Sequence, residues 1–408
     1  MTSVHNPDQY MWTLRQLISQ NRKKIGFLIG AGAPAGVRLL GNSPLIPAIE
    51  QLTAKVLSAL DQAYAQAIAG VITDIGKDKP NIEDILSRVR SIASVIGTHQ
   101  LHGLTGEQYF ELSQAICKNI GTIVGKDLPQ GSNAYSALVS WISGADRKCP
   151  VEIFTTNYDL LFEQAFERAK LPYYDGFVGA STSFFDGSTV SSNDLPSRWA
   201  RLWKLHGSLG WEVLPNGDVT RRPGSDSPYC VFPEHLKYQQ TAKAPYSALF
   251  DRLRAFLNEP DVLLIVCGFS FADAHITARI SECLVANPAA SVFAFQYKNL
   301  DEEPFAEALA SHRANVSVYA RDKAVVNTIT APWRTGQPPA KNWGPIQQTY
   351  WKTPTAEEPG EFLLGDFGRF ASFLASARTD QGGEAPSAHE DPPHDAVTVA
   401  AASEPNPS

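Results

Sequence analysis

A doubly wound, mostly parallel α/β sheet carrying a large helical insertion is the fold this 408-residue chain predicts. Three observations predict it. Short β-branched apolar runs alternate with segments whose apolar residues recur at helical spacing. Several of those runs end in a polar or glycine-rich turn that leads straight into a helix start, most plainly Val151 to Glu163, V-E-I-F-T-T-N-Y-D-L-L-F-E. Between the first run and the second lie roughly 100 residues of almost purely helical pattern.

Composition narrows the class. Apolar residues are 43% and charged residues 19%, the balance of a globular protein with a sizeable core. A net charge of −7 argues against broad adhesion to nucleic acid. The cysteines, Cys117, Cys149, Cys230, Cys267 and Cys283, are odd in number and scattered, so neither a disulfide framework nor a structural zinc site is expected. Met1 to Tyr10 has no signal-peptide pattern, and no apolar run approaches a membrane span. A cytoplasmic protein without membrane contact is the expectation.

Taken in order, Tyr10, Met11, Leu14, Leu17 and Ile18 mark a lead-in helix. The strand Ile25 to Ile29 then runs into Gly30-Ala31-Gly32-Ala33-Pro34-Ala35-Gly36. Glycines after a strand let a backbone approach a pyrophosphate, although a glycine-rich turn needs no ligand, and both readings stand. The helical insertion, about 46–146, carries apolar faces such as Ile82, Ile85, Leu86, Val89 and Ile92, with caps expected at Asn81 (Asp84 three residues on) and Ser132. Arg88 and Arg90 between those faces are expected to be solvated, although an Arg facing the crevice could meet a phosphate.

The Val151 run ends in Thr155-Thr156-Asn157-Tyr158-Asp159. In a parallel sheet such a loop faces the ligand crevice, while Asn157 or Asp159 would serve equally as a plain helix cap. Residues 172–196 read as a long loop. Arg201 to Leu205 reads as a strand delivering His206-Gly207, with His206 either a base or a buried histidine satisfied by backbone. A hairpin turned at Asn216-Gly217 follows. Asp261 to Cys267 is a fully buried strand type, opening into Gly268-Phe269-Ser270-Phe271-Ala272-Asp273, where Gly268 and Ser270 suit a phosphate or ribose and Asp273 suits a helix cap. Val316 to Ala320 is expected to be the last strand. Residues 1–330 are thus read as one sheet-bearing domain, 331–377 as a wrapping segment anchored by Trp333, Trp343 and Trp351 with a helix from Glu361, and 378–408 as a disordered tail.

Four loops taken together, Gly30-Ala31-Gly32, Thr156-Asn157-Tyr158-Asp159, Leu205-His206-Gly207 and Gly268-Phe269-Ser270 with Asp273 and His275, resemble the sirtuin-like superfamily. More narrowly they look like its bacterial, NAD-consuming branch of anti-phage defence, as does the run Ile82-Glu83-Asp84-Ile85-Leu86. The resemblance spans roughly Lys24 to Ala320. It implies a Rossmann-like sheet and NAD as substrate, with Gly30, Ala31 and Gly32 at the pyrophosphate and Thr156, Gly268, Ser270 and Asp273 lining the remaining site. Asn157 would bind the nicotinamide ribose and orient a water, Asp159 would contact nicotinamide or fix the loop, and His206 would be the general base. Pro34 departs from the Ser or Cys common there. The four-cysteine zinc module of protein-deacylating sirtuins is missing, so no metal is expected.

Hydrolysis of NAD to ADP-ribose and nicotinamide is therefore the leading expectation. Behind it stand NAD-dependent deacylation or ADP-ribosyl transfer, and then a non-catalytic NAD-binding or ADP-ribose-binding scaffold. An NAD-depleting effector would need restraint. The resemblance accordingly implies a homo-oligomer, or a separately encoded HerA-type ATPase or other sensor, and no direct nucleic-acid binding.

Overall fold

The computed structural model describes residues 3–379 except 40, 145–146, 215, 222–244 and 357. Its spine is a nine-stranded sheet in the order Ile329–Pro332, Lys323–Val326, Val316–Tyr319, Ser291–Phe295, Val262–Cys267, Lys24–Ile29, Glu152–Thr155, Ala200–Lys204, Tyr173–Tyr174. From Val316–Tyr319 to Tyr173–Tyr174 every neighbouring pair is parallel. The two strands at the other edge are antiparallel. This is the doubly wound α/β sheet the sequence predicts. From the central Lys24–Ile29 strand the chain builds outward through Glu152–Thr155, then returns to Val262–Cys267 and builds the other way. A strand order that reverses at that centre opens a crevice at the carboxyl ends of these strands.

Period-two alternation covers both faces. Phe27, Ile29, Ile153 and Leu202 join one core, shared with the helical insertion and the C-terminal segment. Leu28, Phe154, Trp203 and Val266 join the other, against the helices Tyr246–Leu257 and Ala274–Ala286. The insertion consists mainly of the helices Ile49–Ser58, Ala65–Ile75, Ile82–Ile96, Gly106–Val124 and Ala134–Ser143. Asn81 and Asp84 form the expected capping box. The cap expected at Ser132 is supplied instead by Asn133, whose side chain accepts from the Ser136 amide.

Three further expectations are corrected. The stretch 172–196 contains the strands Tyr173–Tyr174, Phe177–Val178 and Ser183–Phe185 and the helix Gly187–Ser191. Two of those strands join the Trp211–Val213 and Val219–Arg221 hairpin in a four-stranded sheet. Val316–Tyr319 is not the last strand, because Lys323–Val326 and Ile329–Pro332 continue it around Asn327 and Thr328, both at positive φ. A two-residue turn of that kind normally shows itself by a glycine, absent here. Finally, the C-terminal helix is Phe367–Thr379, since Glu361–Phe362 is taken up in pairing with Trp351–Lys352. The proposed tail lies outside the described residues from 380 onward.

The C-terminal segment does more than cover a surface. Phe370 packs 6.0 Å from Phe27 of the central strand, and Phe367 packs against Tyr135 at 5.1 Å. Buried Asp8 of the first helix, Pro7–Ile18, accepts from Tyr350, from Trp343 at 3.2 Å and from Gln347 at 2.8 Å. The helix after the glycine turn is only Gly32–Gly36, and the Phe367–Thr379 helix packs beside it, supplying the cover a longer helix would give.

Candidate active site

Four loops leave the carboxyl ends of adjacent strands, and hydrogen bonds close them into a ring. Gly30 donates to Cys267 O at 3.1 Å and Gly32 to Gly268 O at 3.0 Å, tying the first loop to the fourth. Asn157 Nδ2 donates to Gly30 O at 3.1 Å, tying the second to the first. Leu209 N donates to Tyr158 O at 2.9 Å, tying the third to the second. His206 Nε2 lies 2.9 Å from Asp273 Oδ2, completing the ring. Of the candidate residues, Gly30, Gly32, Asn157, His206, Gly268 and Asp273 make these contacts; Ala31 and Ser270 lie on the same loops without one among the described residues.

The glycines have a reason that needs no ligand. A Cβ on Gly30 would stand 2.3 Å from Gly268 O, and one on Gly32 would stand 2.9 Å from Gly268 Cα. Gly268 itself has φ +69. The first and fourth loops therefore touch backbone to backbone, which only glycine permits. The amides of Gly30 and Gly32 are spent on that contact, while Ala31 and Gly32 themselves stay exposed at the loop tip.

Asn157 is 7% exposed, and its Oδ1 is shielded from water without a hydrogen-bond partner among the described residues. A buried amide oxygen left without a donor costs about 1–3 kcal/mol. Its Nδ2 is used to fix the ring, so the side chain is held with the acceptor free. Thr156 beside it is half-buried, and its amide approaches Ile29 O at 3.4 Å.

His206 is also buried, at 8% exposure. Burial disfavours the imidazolium, but the hydrogen bond to Asp273 and the negative charges of Glu83 and Asp273 outweigh it and raise the pKa above its ordinary value. Asp273 responds in the opposite sense. Burial opposes its ionisation, yet His206 and the amides of His275 and Ile276 hold the carboxyl down at about 2. An acceptor fixed on Nε2 places the proton of a neutral imidazole there, leaving the Nδ1 lone pair. Nδ1 makes no hydrogen bond among the described residues. Asp273 thus caps the Ala274–Ala286 helix and orients His206. Ser270 is exposed beside it, as is His275, whose backbone alone is engaged.

Asp159 is engaged at the start of the next helix. Its Oδ1 accepts from Leu161 N at 3.1 Å, holding the first turn of the Leu161–Arg168 helix. Burial pushes its carboxyl up to about 6, against the pull of Lys204. Of the two roles open to Asp159, the geometry displays loop fixing.

Three supports escaped the sequence reading. Lys204, 2% exposed, donates to Asp159 O, to Glu163 Oε1 at 2.8 Å and to Ser208 Oγ at 2.7 Å, so it fastens the second and third loops from below. A lysine inside the apolar run R-L-W-K-L was the available signal. Glu83 reaches in from the helical insertion, accepting from Tyr158 OH at 2.8 Å. Phe271 is buried at φ +59, a strained conformation for a bulky residue, immediately before the oriented Asp273. Among the described residues no group of three or more His, Cys, Asp or Glu is placed to hold a metal, and no helix is long and apolar enough to cross a membrane.

Comparison with known proteins bears on the same segment. No curated protein sequence matches the chain. Among solved structures, one of a study of the mechanism and regulation of Sir2 enzymes aligns at 12% identity and TM-score 0.34, covering 73% of this chain and 89% of its own. A Sir2 homologue in complex with NAD aligns at 16% identity and TM-score 0.29, covering 72% and 84%. Cytosolic 5′-nucleotidase IIIB bound to cytidine aligns at 9% identity and TM-score 0.28, covering 72% and 79%. Such low scores carry no argument, and the fold class rests on this chain's own strand order. Residues 151–319, which bear Asn157, Asp159, His206 and Asp273, match the family model described as the SIR2-like domain.

Proposed function

We propose that the crevice cleaves NAD to ADP-ribose and nicotinamide. The observation that carries the reading is the pair of open acceptors held within one ring of loops: Asn157 Oδ1, buried without a donor, and His206 Nδ1, left basic by the Asp273 contact. The match of residues 151–319 to the SIR2-like domain supports it, as does the resemblance of the four loops.

Breaking the bond between nicotinamide and ribose leaves an oxocarbenium-like C1 that a water must attack. Asn157 Oδ1 accepts from a ribose hydroxyl or from that water and fixes its position. As the water adds, His206 Nδ1 takes its proton, and Asp273 stabilises the imidazolium that forms. The nicotinamide departs neutral with the electron pair of the broken bond, so the atoms balance: NAD and water give ADP-ribose, nicotinamide and a proton. The exposed tip of Ala31 and Gly32 faces the pyrophosphate, and Thr156, Gly268 and Ser270 line the rest of the dinucleotide. Asp159 acts by holding the Asn157 loop.

In the cell the proposed use is depletion of NAD on phage infection, restrained by self-assembly or by a separately encoded ATPase or sensor. The resemblance of the loops and of Ile82 to Leu86 supports this use. Nicotinamide release from NAD is measured for the purified chain, alone and with the product of its neighbouring gene, and for His206→Ala. Release that falls by about 10²–10⁴-fold in the variant is expected. Release unchanged by the substitution overturns the assignment of the base.

A further inference from the structure

The opposite end of the same sheet holds a cavity of about 120 Å³ that the proposed reaction does not use. It opens where Val151 precedes the strand leading to Asn157 and where Ala200 begins the strand leading to His206. Its polar lining is one-sided. Arg147 and Arg198 supply positive charge, Ser143, Ser197 and Trp199 supply donors, and no Asp or Glu is among the described lining residues.

Arg147 is the unusual member. It is 9% exposed, its Nη2 is anchored on Ile18 O at 2.7 Å, and its guanidinium lies 4.6 Å from the centre of the Trp141 ring. Nε and Nη1 are shielded from water and have no hydrogen-bond partner among the described residues. Trp199 Nε1 is likewise without one. Burial lowers the Arg147 pKa to about 10, so the group stays charged at neutral pH and its desolvation is uncompensated. Glu152, next in sequence to the lining residue Val151, is itself engaged by Arg201, Arg252 and Trp203.

We infer that this cavity is a binding site for a small oxyanion, a phosphate or carboxylate group carried on an apolar or ring-bearing body, with Arg147 as its anchor. Guanidinium recognition of such anions is strong when water is excluded. Arg198 at the rim adds attraction, and Leu171 and Trp199 offer the apolar wall. The inference does not depend on the reading of the crevice.

The test titrates the full chain with inorganic phosphate and, separately, with benzoate, each against chloride at equal ionic strength, following the melting temperature. A saturable rise of a few degrees with one of the two oxyanions is expected, identifying phosphate or carboxylate as the preferred head group. That rise is lost in Arg147→Met and weakened in Arg198→Met, a rim substitution that leaves the buried core intact. Two results overturn the inference: neither oxyanion exceeds chloride on the unaltered chain, or Arg198→Met and Arg147→Met respond as the unaltered chain does, which places the anion elsewhere.

Discussion

Glu152 and Asn157 stand at the two ends of one strand and its exit loop, and they are treated in opposite ways. Glu152 is 4% exposed and its two oxygens accept from Arg201 at 3.3 Å, Trp203 at 2.7 Å and Arg252 at 2.8 Å. Asn157 is nearly as buried, yet its Oδ1 accepts from nothing among the described residues. A polar group buried for structure is mostly saturated, because leaving it open costs stability, although Arg201 Nε, Glu163 Oε2 and Asp8 Oδ2 are also without a partner among the described residues. Asn157 is left open where four loops converge, and the proposed ligand contact rests on that placement.

The sharpest way to break the comparison is to truncate both ends. Glu152→Ala leaves Arg201 and Arg252 buried without their carboxylate and is expected to destabilise by about 3–5 kcal/mol, with turnover per folded molecule preserved. Asn157→Ala is expected to do the reverse, lowering NAD turnover by about 10²–10³-fold while the melting temperature moves little. Denaturant unfolding and nicotinamide release on the same two variants decide it. Equal losses of stability would erase the distinction between the two ends.

A smaller effect is expected at the contact between the first and fourth loops. Gly30→Ala places a methyl group 2.3 Å from Gly268 O, so the loops must part, at a cost of about 1–3 kcal/mol. Turnover falls with it, since Asn157 is fixed by Gly30 O. Unchanged unfolding would mean that the close approach does not hold the ring together.

Next in size is the pH dependence set by Asp273. The His206 pKa is raised, so the basic form that takes the proton appears only as pH climbs through that elevated value. Asp273→Asn removes the charge and leaves burial, which lowers the pKa, in command. The acidic limb of kcat/KM is therefore expected to move to lower pH, with the plateau reduced by at least about tenfold through lost orientation of the ring. A limb that stays in place would detach His206 from Asp273. The pair also bears on stability. Its His206 share is full below the unfolded pKa and is lost as pH rises through the folded one, while the Asp273 share is lost as pH falls toward about 2.

The smallest expected change is at Glu83. Glu83→Gln keeps an acceptor for Tyr158 OH but deletes a negative charge that helps hold His206 protonated. The same acidic limb should shift downward by less than in Asp273→Asn, with melting almost unaltered. No shift would leave Glu83 a structural tether between the insertion and the Asn157 loop.

What could be read from the sequence follows from which signals are local. Asn157 and His206 end apolar β-branched runs, and parallel topology alone sends such loops to one crevice. The alternation of Ile25, Phe27 and Ile29 against Leu28 shows which side chains share a face. Glu83 could not be read as a neighbour of Tyr158, because the two are 75 residues apart and meet only when the insertion folds back. Lys204 was hidden by its apolar surroundings, which supply none of its partners. Those are Asp159, Glu163 and Ser208 on loops and a helix outside the strand. The hairpin after Val316–Tyr319 was missed because Asn327 and Thr328 adopt positive φ without a glycine to announce it. The role of Asp159 was open because residue type and position fit a helix cap and a ligand contact alike; the N-cap is Leu160, and Asp159 instead accepts from Leu161 N at 3.1 Å, tying the loop to the helix start.

The central claim is that the ring of loops hydrolyses NAD, and the balance of products tests it most directly. The purified chain, alone and with the product of its neighbouring gene, is given NAD, and nicotinamide, free ADP-ribose and ADP-ribose attached to macromolecules are quantified together. The account predicts nicotinamide and free ADP-ribose in equal amounts, both lost in Asn157→Ala. Nicotinamide matched by attached ADP-ribose, or no nicotinamide in either condition, would contradict it.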